Sequence, residues 1–150
     1  MAQKIAGTDP DSVSSLTLAY IGDSVFELNV RSIALERHNG SVNDVNAFAK
    51  KYSRASAQAK MALLLEGIMD ERELRIFKRG RNAKSVSAPH TCSISEYRRA
   101  TGLEALAGYL YLEGNIQRAA ELIEKGIELM EETEKSEGCA AADGDLIRRI

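Results

Sequence analysis

Apolar side chains recur along this chain every three to four residues, the spacing of one helix face, and no stretch alternates in the two-residue period of a half-buried strand. The pattern predicts an all-α domain. Leu18, Ile21, Val25 and Leu28 open a first helix, and the period persists to Leu35 before His38-Asn39-Gly40 breaks it. Ser41 is placed to cap a second helix carrying Val45, Phe48 and Ala49. An alanine-rich third helix, from Ser53 or Ala55, runs through Met61 and Leu64 to Met69. Asp70 and Glu73 fit an Asp-x-x-Glu capping box for a short fourth helix through Leu74, Ile76 and Phe77, expected to stop at Gly80. Ser93 and Glu96 repeat the box for a fifth, whose positions Leu103, Leu106, Ala107 and Leu110 continue to Gly114. The last helix is expected from about Asn115 to Glu132, with Ile116, Ala119, Ala120, Ile123 and Ile127 inward.

Residues 80–91 hold Gly, Asn, Ser and Pro without a sustained period and predict the one long internal loop. From Ser136 the period fades again, so the expected organisation is a domain over residues 1–135 and a mobile tail over 136–150.

The chain has 150 residues, 44% of them hydrophobic and 28% charged, which suits one globular unit. Its 20 basic and 22 acidic residues give a net charge of -2, so any attraction for nucleic acid must be local. Cys92 and Cys139, with only His90 near the first, fall short of a zinc set, and free thiols in a reducing compartment are expected. The first residues lack an apolar core of signal-peptide length, and the run Met61 to Met69 is broken by Glu66 and Gly67, so a cytoplasmic protein is expected.

Two acids stand out. Asp23 lies in Leu18-Ala19-Tyr20-Ile21-Gly22-Asp23-Ser24-Val25, and Glu104 in Thr101-Gly102-Leu103-Glu104-Ala105-Leu106-Ala107-Gly108, both among apolar and small residues in helix interiors. Asp is a poor interior helix former, and a buried carboxylate needs a partner. The flanking glycines let helix backbones approach, which would bring the two acids together. Facing carboxylates without a buried Lys or Arg attract a hard divalent cation, and magnesium commonly takes one or two protein carboxylates plus water and substrate phosphate. Spacing alone leaves open that each acid caps a neighbouring helix or pairs with a surface base. Glu27, one turn beyond Asp23, could join such a shell through water or pair with Arg31 at i+4.

A charge asymmetry lies beneath the near-neutral total. From Leu74 to Ser95 there is no Asp or Glu, whereas Arg75, Lys78, Arg79, Arg81 and Lys84 all occur. Lys78, Arg79, Arg81, Asn82, Lys84 and Ser85 combine charged donors and short polar groups suited to phosphate and sugar oxygens, although such a run can also be a solvated face. Arg98 and Arg99 could extend it toward Glu104. The scarcity of aromatics there disfavours a stacking platform for single strands.

Taken together, Ala19-Tyr20-Ile21-Gly22-Asp23-Ser24-Val25, Lys78-Arg79-Gly80-Arg81-Asn82-Ala83-Lys84-Ser85 and Thr101 through Leu112 resemble Mini-ribonuclease III, the short branch of the ribonuclease III family, over roughly Leu16 to Glu132. The resemblance implies a helical endonuclease domain that dimerises and cuts double-stranded RNA. Asp23 and Glu104 would be the catalytic, metal-holding acids, with magnesium as cofactor and manganese as a substitute. It also implies recognition of RNA by the catalytic domain itself, 23S ribosomal RNA precursors as substrate, a large-subunit ribosomal protein as a possible helper, and no membrane role. Longer relatives carry acids where this chain has Ala19 and Thr101, and an aromatic that enters the partner subunit where it has Tyr20. Tyr20 is therefore a candidate dimer contact, with core packing as its other reading. A catalytically weak RNA-binding protein of the same fold is the nearer alternative. The more distant one is a tetratricopeptide-like module, suggested by Ala107-Gly108-Tyr109-Leu110 and Ala119-Ala120, but no second copy lies one 34-residue period upstream.

Overall fold

Six α-helices follow a 3-10 turn at Pro10–Ser12: α1 (Ser15–Arg37), α2 (Val42–Ser53), α3 (Ala55–Leu65), α4 (Glu71–Asn82), α5 (Ile94–Leu112) and α6 (Ile116–Ile147). The structure, a computed structural model, describes residues 7–84 and 91–147, with side chains described through residue 139. Among the described residues there is no strand, and no helix is long and apolar enough to cross a membrane.

Local chemistry sets most helix ends. The Ser14 hydroxyl accepts from Thr17 N at 3.2 Å, and Ser41 with Asp44 and Asp70 with Glu73 each form a reciprocal capping box. Ser93 caps α5 by accepting from Glu96 N at 3.1 Å. Gly114, at φ +87°, turns the chain out of α5, and Asn115 N donates back to Leu110 O at 2.8 Å, the six-to-one bond of a Schellman end.

α5 is the axis of the fold. Ala100, Leu103, Ala105, Leu106, Leu110 and Leu112 are among its buried side chains, and α1, α3, α4 and α6 pack around it. Phe26, Val30, Met61, Leu65, Phe77, Ile123 and Ile127 complete a single core. Burial of each such large side chain contributes roughly 1.5–3 kcal/mol relative to exposure. Polar groups inside are matched: Glu73, 1% exposed, accepts from Arg118 and from Asp70 N, so the α4 cap is tied to α6 by an ion pair.

Several expectations change: α3 ends at Leu65 and not at Met69. Gly80 does not stop α4, which continues to Asn82, because Gly80 lies within the contact between helices: a Cβ there would sit 2.8 Å from Ala105 Cβ and 2.9 Å from Gly102 Cα. The expected loop therefore begins at Ala83, and residues 85–90 lie outside the described residues. Leu28, Leu35 and Ile116 are 68%, 64% and 47% exposed, because their helices turn other apolar faces inward. In α6 the core positions are Ala119, Leu122, Ile123, Ile127 and Met130. Finally, α6 overruns its expected end near Glu132 and continues to Ile147; Glu, Lys and Ala there favour helix even though residues 132–139 are exposed.

Candidate active site

Two helix crossings shape the site. Where α1 meets α5 there is no room for side chains: a Cβ on Gly22 would lie 1.6 Å from Glu104 O, and one on Gly108 would lie 2.0 Å from Leu18 O. Backbone touches backbone, and Asp23, next to Gly22, is brought to Glu104. Where α4 meets α5, a Cβ on Gly102 would lie 2.7 Å from Phe77 O. Thus the turn of α5 that carries Glu104 is held between α1 and the basic end of α4.

The carboxyls of Asp23 and Glu104 lie close enough for the Asp23 charge to act on Glu104. Asp23 is exposed, Glu104 is partly buried, and the Gln58 side chain of α3, 2% exposed, is near enough to Glu104 to favour its ionised form. Among the described residues neither acid has an ion-pair partner, and no group of three or more His, Cys, Asp or Glu gathers anywhere. The centre is two carboxylates and an amide. Those donors fit a hard, hydrated divalent cation, whose positive charge the chain itself does not supply.

Burial first, and the Asp23 charge second, push the Glu104 carboxyl from its ordinary 4.5 up to about 8; the nearby Gln58 amide, by favouring the ionised form, opposes them. In the metal-free protein the folded chain therefore keeps a proton that the unfolded chain releases near 4.5. Stability from this group is greatest below that pH and falls as pH rises to about 8, by on the order of a few kcal/mol. Thermal melting in chelator from pH 5 to 8 is expected to show that decline, and Glu104→Gln to flatten it. An identical slope in the variant would remove Glu104 as its source.

The residues around the pair fall as follows. Glu27 pairs with Arg31 at 2.9 Å. Thr101, 7% exposed, donates to Tyr97 O of its own helix at 2.9 Å, and Ala19 is buried, so neither position offers a further ligand. Lys78, Arg79 and Asn82 are exposed on α4 and, with Arg75, line one wall of a groove of about 720 Å3 whose other wall is Ser14, Ser15 and Leu16. Arg81 lies over the Phe77 ring at 5.9 Å, partly occupied in packing. Lys84 is exposed at the C-terminal edge of α4, and Ser85 lies outside the described residues. The basic residues are thus mostly helical, where the sequence suggested a loop. Tyr20 is 78% exposed and takes no part in the core. Gln58 escapes sequence reasoning, since an amide in an alanine-rich helix reads as a surface residue; its only signal is apolar or small neighbours at Ala57, Ala59, Met61 and Ala62.

Comparisons with known proteins identify the family. Residues 16–115 match the Ribonuclease III domain, a span that includes both acids and the basic face. The chain is 41% identical over 123 residues to Mini-ribonuclease 3 of Symbiobacterium thermophilum, covering 82% of this chain and 95% of that one. It is 34% identical over 139 residues to Mini-ribonuclease 3 of Clostridium tetani, covering 92% of each. A crystal structure of a Fusobacterium nucleatum protein superposes with a TM-score of 0.67 at 30% identity, over 85% of this chain and 99% of that one. With domain, relatives and helical architecture in accord, this chain belongs to the ribonuclease III family, in its Mini-ribonuclease III branch.

Proposed function

We propose that this endoribonuclease of the ribonuclease III type cleaves double-stranded RNA at Asp23 and Glu104, with magnesium held between them, and that it acts as a two-fold dimer on 23S ribosomal RNA precursors. The observation that carries the catalytic part is the backbone contact of Gly22 with Glu104, which brings two carboxyls from helices far apart in sequence together without a cationic partner among the described residues. Family membership supports duplex RNA as substrate. The choice of 23S precursors rests on the resemblance to the short branch alone.

The chemistry a magnesium ion supplies when bound is activation of water and neutralisation of charge on the scissile phosphate. Asp23, at the surface, presents its carboxylate to solvent and substrate. Glu104 keeps a proton near neutral pH in the metal-free chain and must be ionised to act as a ligand. Arg75, Lys78, Arg79 and Asn82 face solvent along α4 and are placed to hold RNA phosphates by charge and hydrogen bonds, which fixes the duplex without reading its sequence. No side-chain nucleophile is required, and the products carry 5′-phosphate and 3′-hydroxyl ends. Leu16, Tyr20, Leu28 and Leu35 remain exposed on α1. That apolar face suits a self-complementary contact about a two-fold axis, which would present one acid pair to each strand.

Duplex RNA incubated with the protein is expected to be cut in magnesium or manganese and left intact in chelator. Cleavage that persists in chelator would refute the metal assignment. Retention of duplex RNA without cleavage under every metal condition would favour a binding-only protein of the same fold.

A further inference from the structure

The groove along α4 has walls from distant parts of the chain: Arg75, Lys78 and Arg79 on one side, and Ser14, Ser15 and Leu16, at the start of α1, on the other. The second wall follows directly from the turn at Pro10–Ser12. Asp9 caps that turn by accepting from Asp11 N at 3.2 Å, and Val13 N donates to Pro10 O at 3.2 Å, so residues 9–13 form one bonded unit. A single side chain of α5 touches the supports of both walls. Tyr109 is 5% exposed, and its hydroxyl donates to Asp11 Oδ1 at 2.8 Å, a bond between residues 98 positions apart. On its other contact, Arg72 of α4 lies over the Tyr109 ring at 5.5 Å. Arg72 is fixed there by a two-pronged pair with Glu113 at the end of α5, both bonds 2.7 Å. Arg75 follows one turn later on the same helix. A phenylalanine would fill the space of the ring, so what the hydroxyl adds is the tie to the turn.

We propose that Tyr109 is a positioning residue for RNA, whose hydroxyl latches the Asp11 turn while its ring seats against Arg72, and which thereby sets the distance between the two groove walls that receive the duplex backbone. The proposal rests on the reading of that groove as an RNA-binding face. Without the latch the turn drifts among positions, and RNA affinity falls with the fraction of chains whose walls keep the receiving spacing. One hydrogen bond shifts such an equilibrium by a factor of roughly 3 to 10. Charge alone predicts the opposite sign for one of the partners. Asp11 is an exposed acid three residues ahead of the groove wall, so its removal strengthens binding to a polyanion if the carboxylate does nothing but repel phosphate. As half of a latch, it weakens binding when removed.

The test measures binding of a fluorescently labelled RNA duplex to the full chain in chelator, by anisotropy, alongside cleavage in magnesium across an RNA titration. Tyr109→Phe keeps the ring beneath Arg72 and removes only the donor; Asp11→Ala removes the acceptor and its charge. Both are expected to stay folded and to bind the duplex about 3- to 10-fold more weakly than wild type, with KM raised in proportion and kcat at saturating RNA unchanged. The double variant is expected to bind no more weakly than either single one, because both remove the same bond. Asp11→Ala, altered at an exposed site, decides the matter if the phenylalanine variant does not fold. Weakening by less than about threefold in Asp11→Ala, or tighter binding, would overturn the proposal. So would a loss confined to kcat, or failure of both single variants to fold, which would make the bond purely structural. A variant carrying Lys78→Ala and Arg79→Ala is run in parallel: RNA affinity equal to wild type there would sink the reading of the groove as an RNA face, a result distinct from any outcome at Tyr109 or Asp11.

Discussion

Glu104→Gln is expected to slow cleavage of duplex RNA by about 10^3-fold or more while leaving the helical fold intact. The substitution keeps the shape of the side chain and removes its charge. A neutral amide holds a hard cation far less well than a carboxylate does. Charge stabilisation by a bound metal contributes several kcal/mol to a phosphoryl transition state, and each 1.4 kcal/mol is a factor of ten in rate. The same change relieves the repulsion from Asp23 and the burial of charge that raise the Glu104 pKa. The metal-free variant is therefore expected to melt at a higher temperature than wild type at pH 8. Single-turnover cleavage in magnesium, with melting curves recorded in chelator, checks both halves. Cleavage within tenfold of wild type would remove Glu104 from the catalytic centre.

The second large effect concerns a residue with no chemistry of its own. Gly22→Ala is expected to destabilise the protein by about 3 kcal/mol or more, near the upper end of what overpacking costs. Helix propensity alone gives the opposite sign, since alanine in a helix interior is favoured over glycine by about 1 kcal/mol. Geometry decides the contest. The added methyl would stand 1.6 Å from the Glu104 carbonyl oxygen and 2.9 Å from Gly108 N, and both are backbone atoms that cannot rotate away. α1 must then move off α5, carrying Asp23 away from Glu104, so activity is expected to fall further than stability explains. Gly67→Ala is the matched control, because nothing lies within 4 Å of its new methyl. Denaturant midpoints of the two variants make the comparison. Equal midpoints would show that the α1–α5 crossing can open without cost.

How much of this is legible in the sequence depends on whether the signal is local. Caps at Ser41, Asp70 and Ser93 are written in three or four adjacent residues, and the structure places helix starts at each. Gly80 misleads because a glycine that ends a helix and one that admits a neighbouring backbone look the same in one dimension; only Ala105 and Gly102 across the contact tell them apart. Leu28, Leu35 and Ile116 keep helical spacing yet face outward, since a period identifies a face without saying which partner covers it. The meeting of Asp23 and Glu104 is signalled by the glycines beside them, a tertiary contact that does leave a local trace. Gln58 leaves only its small and apolar neighbours as a trace, because the acid it acts on lies on another helix.

The tight glycine contacts at Gly22 and Gly108 join α1, near the start of the chain, to α5, far from it in sequence. Such a pairing closes late, after the intervening segments have been made and folded, because long loops must lose their entropy before the contact repays it. On the proposed two-acid site, a chain whose α5 has not yet docked holds one acid without the other, so cleavage is expected only once folding is complete.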